Sequence, residues 1–187
     1  VSTDDAAIAA VAAAAGAEVP FERPAELADD YATTNAVMSH AVRWLEADGT
    51  GADAICCLYA TAPFVDGALL REGLRALLES GADYALPVTR YAFPIQRALR
   101  IDADGRLIMF APEHFATRSQ DLEPAWHDAG QFYWGRPAAW RAEQPLFHRA
   151  QPVPVGRERV QDIDTPEDWT RAEALFRVLR GEGAGAS

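Results

Sequence analysis

Residues 54–59 read Ala-Ile-Cys-Cys-Leu-Tyr, an unbroken apolar run of strand length. A run without polar alternation suits a parallel strand covered on both faces, because helical crossovers pack against either side of such a sheet. The chain leaves it through Ala60-Thr61-Ala62-Pro63-Phe64, and a helix is expected from about Asp66 to Ser80 with Leu69, Leu70, Leu74, Leu77 and Leu78 as its buried stripe. Strand, loop and amphipathic helix in succession are the building unit of an α/β fold.

The same pattern extends in both directions. Toward the N-terminus, Val1 to Thr3 reads as the end of a strand, and Ser2, Thr3 and Asp4-Asp5 offer cap chemistry for a helix running through Ile8 and Val11 to Gly16. Val19 to Phe21 is a short apolar piece, Arg23-Pro24 opens the acidic loop RPAELADD, and Thr33, Thr34 and Asn35 cap a helix carrying Val37, Met38, Ala41, Val42 and Leu45. Toward the C-terminus, strands are expected at Tyr84 to Thr89, Gln131 to Trp134 and Val153 to Val155, with a hairpin from Ile101 to Phe110 around Asp104-Gly105. Pro137 to Ala142 reads as a short helix. Thr165-Pro166-Glu167-Asp168 starts a last helix packing Trp169, Ala172, Leu175, Phe176 and Leu179. The expectation is one α/β domain over residues 1–180 with a mostly parallel sheet, an insertion at about 92–130 and a flexible tail at 181–187.

Composition narrows the function. The chain has 187 residues, 28 acidic and 17 basic side chains, and a net charge of −11; every basic residue is arginine. Such a balance disfavours general binding to nucleic acid or an anionic membrane, so any anion must be met by placed arginines, backbone amides or a bridging cation. Cys56 and Cys57, the only cysteines, are neighbours in an apolar run and read as buried thiols rather than a disulfide framework. No apolar stretch approaches the ~20 residues that span a bilayer, and no basic segment precedes the alanine-rich opening. A reducing cytoplasm is the expected setting.

Neither GxGxxG nor GxxxxGK[ST] occurs, and no G-x-S-x-G elbow is present. His40, His114, His127 and His148 are scattered without metal-ligand spacing and read as structural or surface residues. In VQDIDTPEDW, Asp162 and Asp164 alternate around Ile163, so an extended backbone would project both carboxylates to one face. Two carboxylates that close suit a Mg²⁺ held beside phosphates, while Asp164 or Thr165 could instead cap the following helix. In HDAGQFYWG (127–135), Gly130 allows close backbone approach, and Gln131 and Tyr133 share a strand face where they could read a polyhydroxylated ligand or simply fill core. Arg23, Arg97 and Arg118 lie in loop-like contexts suited to an anion.

These segments, VSTDD, GAEVPFERPAELADDYATT, CCLYATAPF, PVTRYAFPIQRAL, RSQDLEP, HDAGQFYWG and VQDIDTPEDW, occur in order over residues 1–178. Together they resemble the cytidylyltransferases that activate nonulosonic acids, nearest to the pseudaminic acid branch, with CMP-sialic acid and, more distantly, CMP-KDO synthetases in the wider family. The resemblance implies a nucleotidyltransferase-type, Rossmann-like three-layer sandwich with a projecting dimerisation segment, hence a homodimer. It implies transfer from CTP to a nine-carbon sugar acid, giving CMP-sugar and pyrophosphate with Mg²⁺ as cofactor. By the same resemblance, Asp162 and Asp164 are the metal-binding catalytic pair. Arg23, Thr34, Thr61 and Pro63 contact the nucleotide. Gln96, Arg97, Arg118, Gln131 and Tyr133 contact the sugar.

Family members begin with a strand and a loop of the type ARxGSKR-x-x-x-KN that grips the CTP phosphates, whereas this sequence opens at VSTDD. The expectation is therefore an N-terminally incomplete copy, with exposed strand edges and weak CTP binding. The rival readings are a short non-catalytic paralogue serving as a binding or dimer partner, and a metal-dependent glycosyltransferase using Asp162-x-Asp164.

Overall fold

The computed structural model describes residues 1–181. The tail expected at 181–187 lies, from residue 182 on, outside the described residues. In chain order the elements are α1 (Ala6–Ala14), α2 (Thr34–Ala47), β1 (Ile55–Leu58), α3 (Gly67–Ser80), β2 (Tyr84–Arg90), β3 (Leu99–Ile101), β4 (Leu107–Met109), β5 (Trp126–Asp128), β6 (Phe132–Gly135), α4 (Pro137–Arg141), β7 (Ala150–Pro154) and α5 (Pro166–Leu179). Short 3-10 turns join several of them. Hydrogen bonding orders the strands β1-β6-β2-β5, with β7 also on β2, and pairs β3 with β4 as a separate ribbon.

The expectation of a mostly parallel sheet is corrected. β2 runs antiparallel to β5, β2 antiparallel to β6, and β3 antiparallel to β4. Thr3 and Glu22 form a parallel bridge outside the named strands. The reason lies between β2 and β6: residues 91–131 contain a hairpin and turns but no crossover helix, and without one the chain returns in the opposite sense. The reading of β1 as covered on both faces is also corrected. Ile55 to Cys57 are half-buried and Leu58 is 54% exposed. β1 ends the strand order, so among the described residues it has a sheet neighbour on one side alone.

The chain packs as two compact units. The first comprises Val1–Cys57, Leu77–Ala85 and Trp134–Gln151. Asp5 caps α1, its side chain accepting from the Ala7 and Ile8 amides, yet this alanine-rich helix buries none of its residues. Thr33 caps α2 by accepting from Ala36 N–H at 3.2 Å. Apolar spacing then puts Met38, Ser39 and Val42 on the buried face, which packs on α4. Trp140 of α4 is fully buried, edge-on to Tyr84 at 4.8 Å, and donates its indole N–H to Ile55 C=O at 3.2 Å. Tyr84 in turn donates to Gln144 C=O at 3.0 Å. Thus the aromatic pair is both packed and satisfied.

The second unit comprises Leu58–Ala76, Leu86–Tyr133 and the chain from Pro152 on. Phe64, Leu69, Leu86, Phe132 and Val153 are among its buried apolar residues, and Thr89 donates its hydroxyl to Val155 C=O at 2.9 Å. The expected hairpin is present as β3–β4, with Gly105 at φ 78 in the turn where a left-handed residue is required. The stripe expected on α5 is corrected: Ala172 is buried, but Trp169 is 60% and Leu179 44% exposed. The apolar face of α5 meets Pro63 and Ile163 across an open cleft of about 370 Å³ rather than a closed core.

Candidate functional site

Two of the second unit's candidates, Tyr133 and Asp162, line a second cleft, of about 390 Å³. Its lining includes Tyr59 beyond β1, His127 and Asp128 of β5, Gly130, Tyr133 of β6, and Gln161 with Asp162 from the segment before α5. The β5–β6 turn is built by its own sequence. Asp128 Oδ1 accepts from Gly130 N–H at 2.9 Å, and Gly130 takes φ 63, a conformation that favours glycine. The turn aims Tyr133 back at the residue that starts it, and its hydroxyl donates to Asp128 Oδ2 at 2.5 Å. Burial first, and then this bond to a carboxylate, raise the Tyr133 pKa well above the usual phenol value. Tyr59 stands edge-on to Tyr133 with ring centroids 5.3 Å apart.

Three further bonds tie together the segments around the cleft. Gln131 donates its amide to Arg159 C=O at 2.5 Å, and Arg159 donates to Phe64 C=O and to Asp66 Oδ2, each at 2.8 Å. The loop holding Thr61 and Pro63 is therefore tied to the segment leading into Asp162. Asp66 also caps α3, accepting from Leu69 N–H at 2.8 Å, and these contacts, the backbone bond foremost, hold its carboxyl below the ordinary value.

Asp162 and Asp164 are exposed and flank the half-buried Ile163, as alternation in an extended segment requires. Neither carboxylate closes the α5 cap. Thr165 accepts from Asp168 N–H at 3.2 Å while Asp168 accepts from Thr165 N–H at 3.0 Å, a reciprocal capping box. That leaves the Asp162–Asp164 pair for other work. Among the described residues no three or more His, Cys, Asp or Glu side chains gather into a group able to hold a metal ion. Two hard oxygen donors without a third suit a Mg²⁺ completed by substrate phosphates and water, and fit a closed protein cage poorly.

The remaining sequence candidates have distinct placements. Asp162 and Tyr133 line the cleft together, while Pro63 lines the apolar cleft beside α5. Thr61 is exposed on the loop between them. Gln131 is 2% exposed and does not line the cleft; its Oε1 is buried without a hydrogen-bond partner. Gln96 donates to Glu123 C=O at 2.9 Å, Arg97 to Ser119 at 3.3 Å, and Arg118 pairs with Asp121 at 2.7 and 3.1 Å; none of the three lines the cleft. In the first unit, Arg23 donates to Ser2 Oγ at 3.1 Å and to Ser2 C=O, and Thr34 is the first residue of α2. Burial pushes the Cys56 and Cys57 thiols up to about 12 and about 11, as inert packed thiols require. Tyr59, His127, Asp128 and Gln161 escaped the sequence reading. For Asp128 a signal existed, since Asp-x-Gly is the signature of a side-chain-closed turn.

Comparison with known proteins adds the following. A family model described as cytidylyltransferase matches residues 1–177. A pseudaminic acid cytidylyltransferase of Campylobacter jejuni is 38% identical over 178 residues, covering 95% of this chain and 77% of the relative. A Helicobacter pylori protein named pseudaminic acid cytidylyltransferase and UDP-2,4-diacetamido-2,4,6-trideoxy-beta-L-altropyranose hydrolase is 32% identical over 143 residues, covering 75% of this chain and 27% of that protein. Among solved structures, a CMP:2-keto-3-deoxy-manno-octonic acid synthetase complexed with CTP matches with a TM-score of 0.64 at 14% identity, over 96% of this chain and 80% of that one. A 4-diphosphocytidyl-2C-methyl-D-erythritol synthase matches with a TM-score of 0.53 at 16% identity, over 94% of this chain and 78% of that one. These two likenesses establish an α/β nucleotidyltransferase fold.

Proposed function

The chain belongs to the cytidylyltransferase family, and on that premise we propose that it transfers the cytidylyl group of CTP to a nonulosonic acid, pseudaminic acid foremost, releasing pyrophosphate. The observation that carries this reading is the 38% identity to a pseudaminic acid cytidylyltransferase across 95% of the chain. In the reaction the anomeric oxygen of the sugar acid forms a bond to the α-phosphorus of CTP. The bond from that phosphorus to the β-phosphate bridge oxygen breaks, and the hydroxyl proton leaves to solvent or a basic oxygen.

The cleft bounded by Tyr59, Asp128, Tyr133 and Asp162 is the seat we assign to the sugar acid. Its polar tips on aromatic walls suit a polyhydroxylated ring. Asp162 and Asp164 would hold the Mg²⁺, which when bound neutralises phosphate charge and so offsets the repulsion expected from a chain of net charge −11. Thr61 and Pro63 follow β1 on the loop that Arg159 anchors, so their nucleotide role rests on resemblance together with a restrained position. The roles of Arg23 and Thr34 toward the nucleotide, and of Gln96, Arg97 and Arg118 toward the sugar, rest on resemblance to the family motifs. Gln131 acts through Arg159 as a positioning residue. A homodimer is proposed through the β3–β4 ribbon, where Leu99, Ile101 and Leu107 are 53%, 71% and 68% exposed.

The test is pyrophosphate release. It should require CTP, the sugar acid and a divalent cation together, and Asp162→Ala should lower it on the order of 100-fold or more. Unchanged turnover in Asp162→Ala removes the metal assignment. Absence of release with every nonulosonic acid removes the function.

A further inference from the structure

Asp128 stands in the HDAGQFYWG segment, but the resemblance gives it no role and it is not one of the metal pair; it lines the cleft all the same. Its two carboxylate oxygens are each committed: Oδ1 to the fixed backbone N–H of Gly130 at 2.9 Å, Oδ2 to the Tyr133 hydroxyl at 2.5 Å. A phenol has a single proton. Once that proton points at Asp128, the Tyr133 oxygen can only accept, from the neighbouring Tyr59 or from a ligand in the cleft that both line. Tyr133 is 3% exposed, so its ring stays beside Asp128, and because a carboxylate can only accept, the hydroxyl keeps its proton on that side.

We propose that Asp128 fixes the hydrogen-bond polarity of Tyr133, making its phenolic oxygen an acceptor for an N–H donor on the sugar acid. Asp128 is thus a positioning residue that sets specificity, acting through Tyr133. The inference rests on the functional reading above and adds which kind of sugar substituent the cleft selects. A site that hydrogen-bonds a substrate group rejects analogues that cannot answer it.

Asp128→Asn tests it with almost no change of shape. Gly130 N–H still demands an acceptor, so the asparagine carbonyl takes Oδ1's place and its NH₂ faces Tyr133. Tyr133 must then donate into the cleft, and the polarity is reversed. In the full chain, KM for an acetamidated sugar acid should rise roughly 10-fold while KM for CTP holds. On a Tyr133→Phe background, Asp128→Asn should add little. A sugar acid with hydroxyls in place of the acetamido groups checks the donor: a hydroxyl accepts as readily as it donates, so the penalty should vanish with it, and a penalty that persists overturns the inference.

An unchanged sugar KM in Asp128→Asn overturns the inference, as does an equal rise in both KM values or a penalty undiminished by Tyr133→Phe. A parent chain that turns over while Asp128→Asn matches it sinks this inference alone. A parent inactive with every sugar acid sinks the functional reading and this inference with it.

Discussion

At the scale of single residues, chemistry is decided by what each side chain has already given away. Arg118 offers a charge to an anion in the sequence, but its guanidinium holds Asp121 with two bonds of 2.7 and 3.1 Å. Such an exposed pair is worth little in stability, so a ligand carboxylate could compete for it at small cost. Gly135 is a stricter case. A Cβ there would lie 2.4 Å from Trp140 Nε1 and 2.8 Å from Tyr84 Cδ1, both in fully buried rings. Gly135→Ala should therefore destabilise the fold by about 1–3 kcal/mol through overpacking, read as a lower urea midpoint. An unchanged midpoint would mean that the Tyr84–Trp140 pair yields easily.

Helix ends dominate at the scale of elements. Asp66 at α3 and Asp168 at α5 both cap, and both carboxyls are held below the ordinary 3.8: Asp66 by the Leu69 amide first, Asp168 by the Thr165 hydroxyl first. A lowered folded value means that stabilisation is complete above the unfolded value and is lost as pH falls through the folded one. Melting temperature should therefore drop as pH is taken below 3.8, and Asp168→Asn should flatten that acid limb. Equal acid slopes in parent and variant would deny the cap its role. Thr165→Ala should cost ~1 kcal/mol at neutral pH, read in the same melts. That a cap stands at Asp164 or Thr165 was legible in the sequence, and the structure gives it to Thr165, whose partner Asp168 is three residues on. The antiparallel sense of β2 against β5 and β6 was not, because strand direction depends on how residues 91–131 return and not on the composition of any strand.

For the whole molecule, two surface properties matter. A net charge of −11 with a pI near 4.7 repels an anion, so under the proposed function CTP would be met with a cation beside it. Set against it are Phe93, Ile101, Leu107 and Phe115, 83%, 71%, 68% and 75% exposed within one unit. These are the side chains that the proposed homodimer would cover. The parent should sediment as a dimer, and the double variant Ile101→Glu, Leu107→Glu as a folded monomer. A monomeric parent removes the proposed homodimer. Among the described residues no helix is long and apolar enough to cross a membrane.

The sequence carried what depends on neighbours a few positions away: the apolar run at 54–59, the periodicity of α2 and α3, the hairpin at Asp104-Gly105, the Thr165 cap and the alternation that exposes Asp162 and Asp164 around Ile163. Propensity, turn chemistry and side-chain period act over that range. Folding settled what depends on distant partners: that Gln131 is buried against Arg159, that Arg159 secures the loop of Thr61 and Pro63, and that Tyr59, Tyr133 and Asp162 line one cleft. Burial and hydrogen-bond polarity are properties of surroundings, and those surroundings come from segments that the linear order keeps apart.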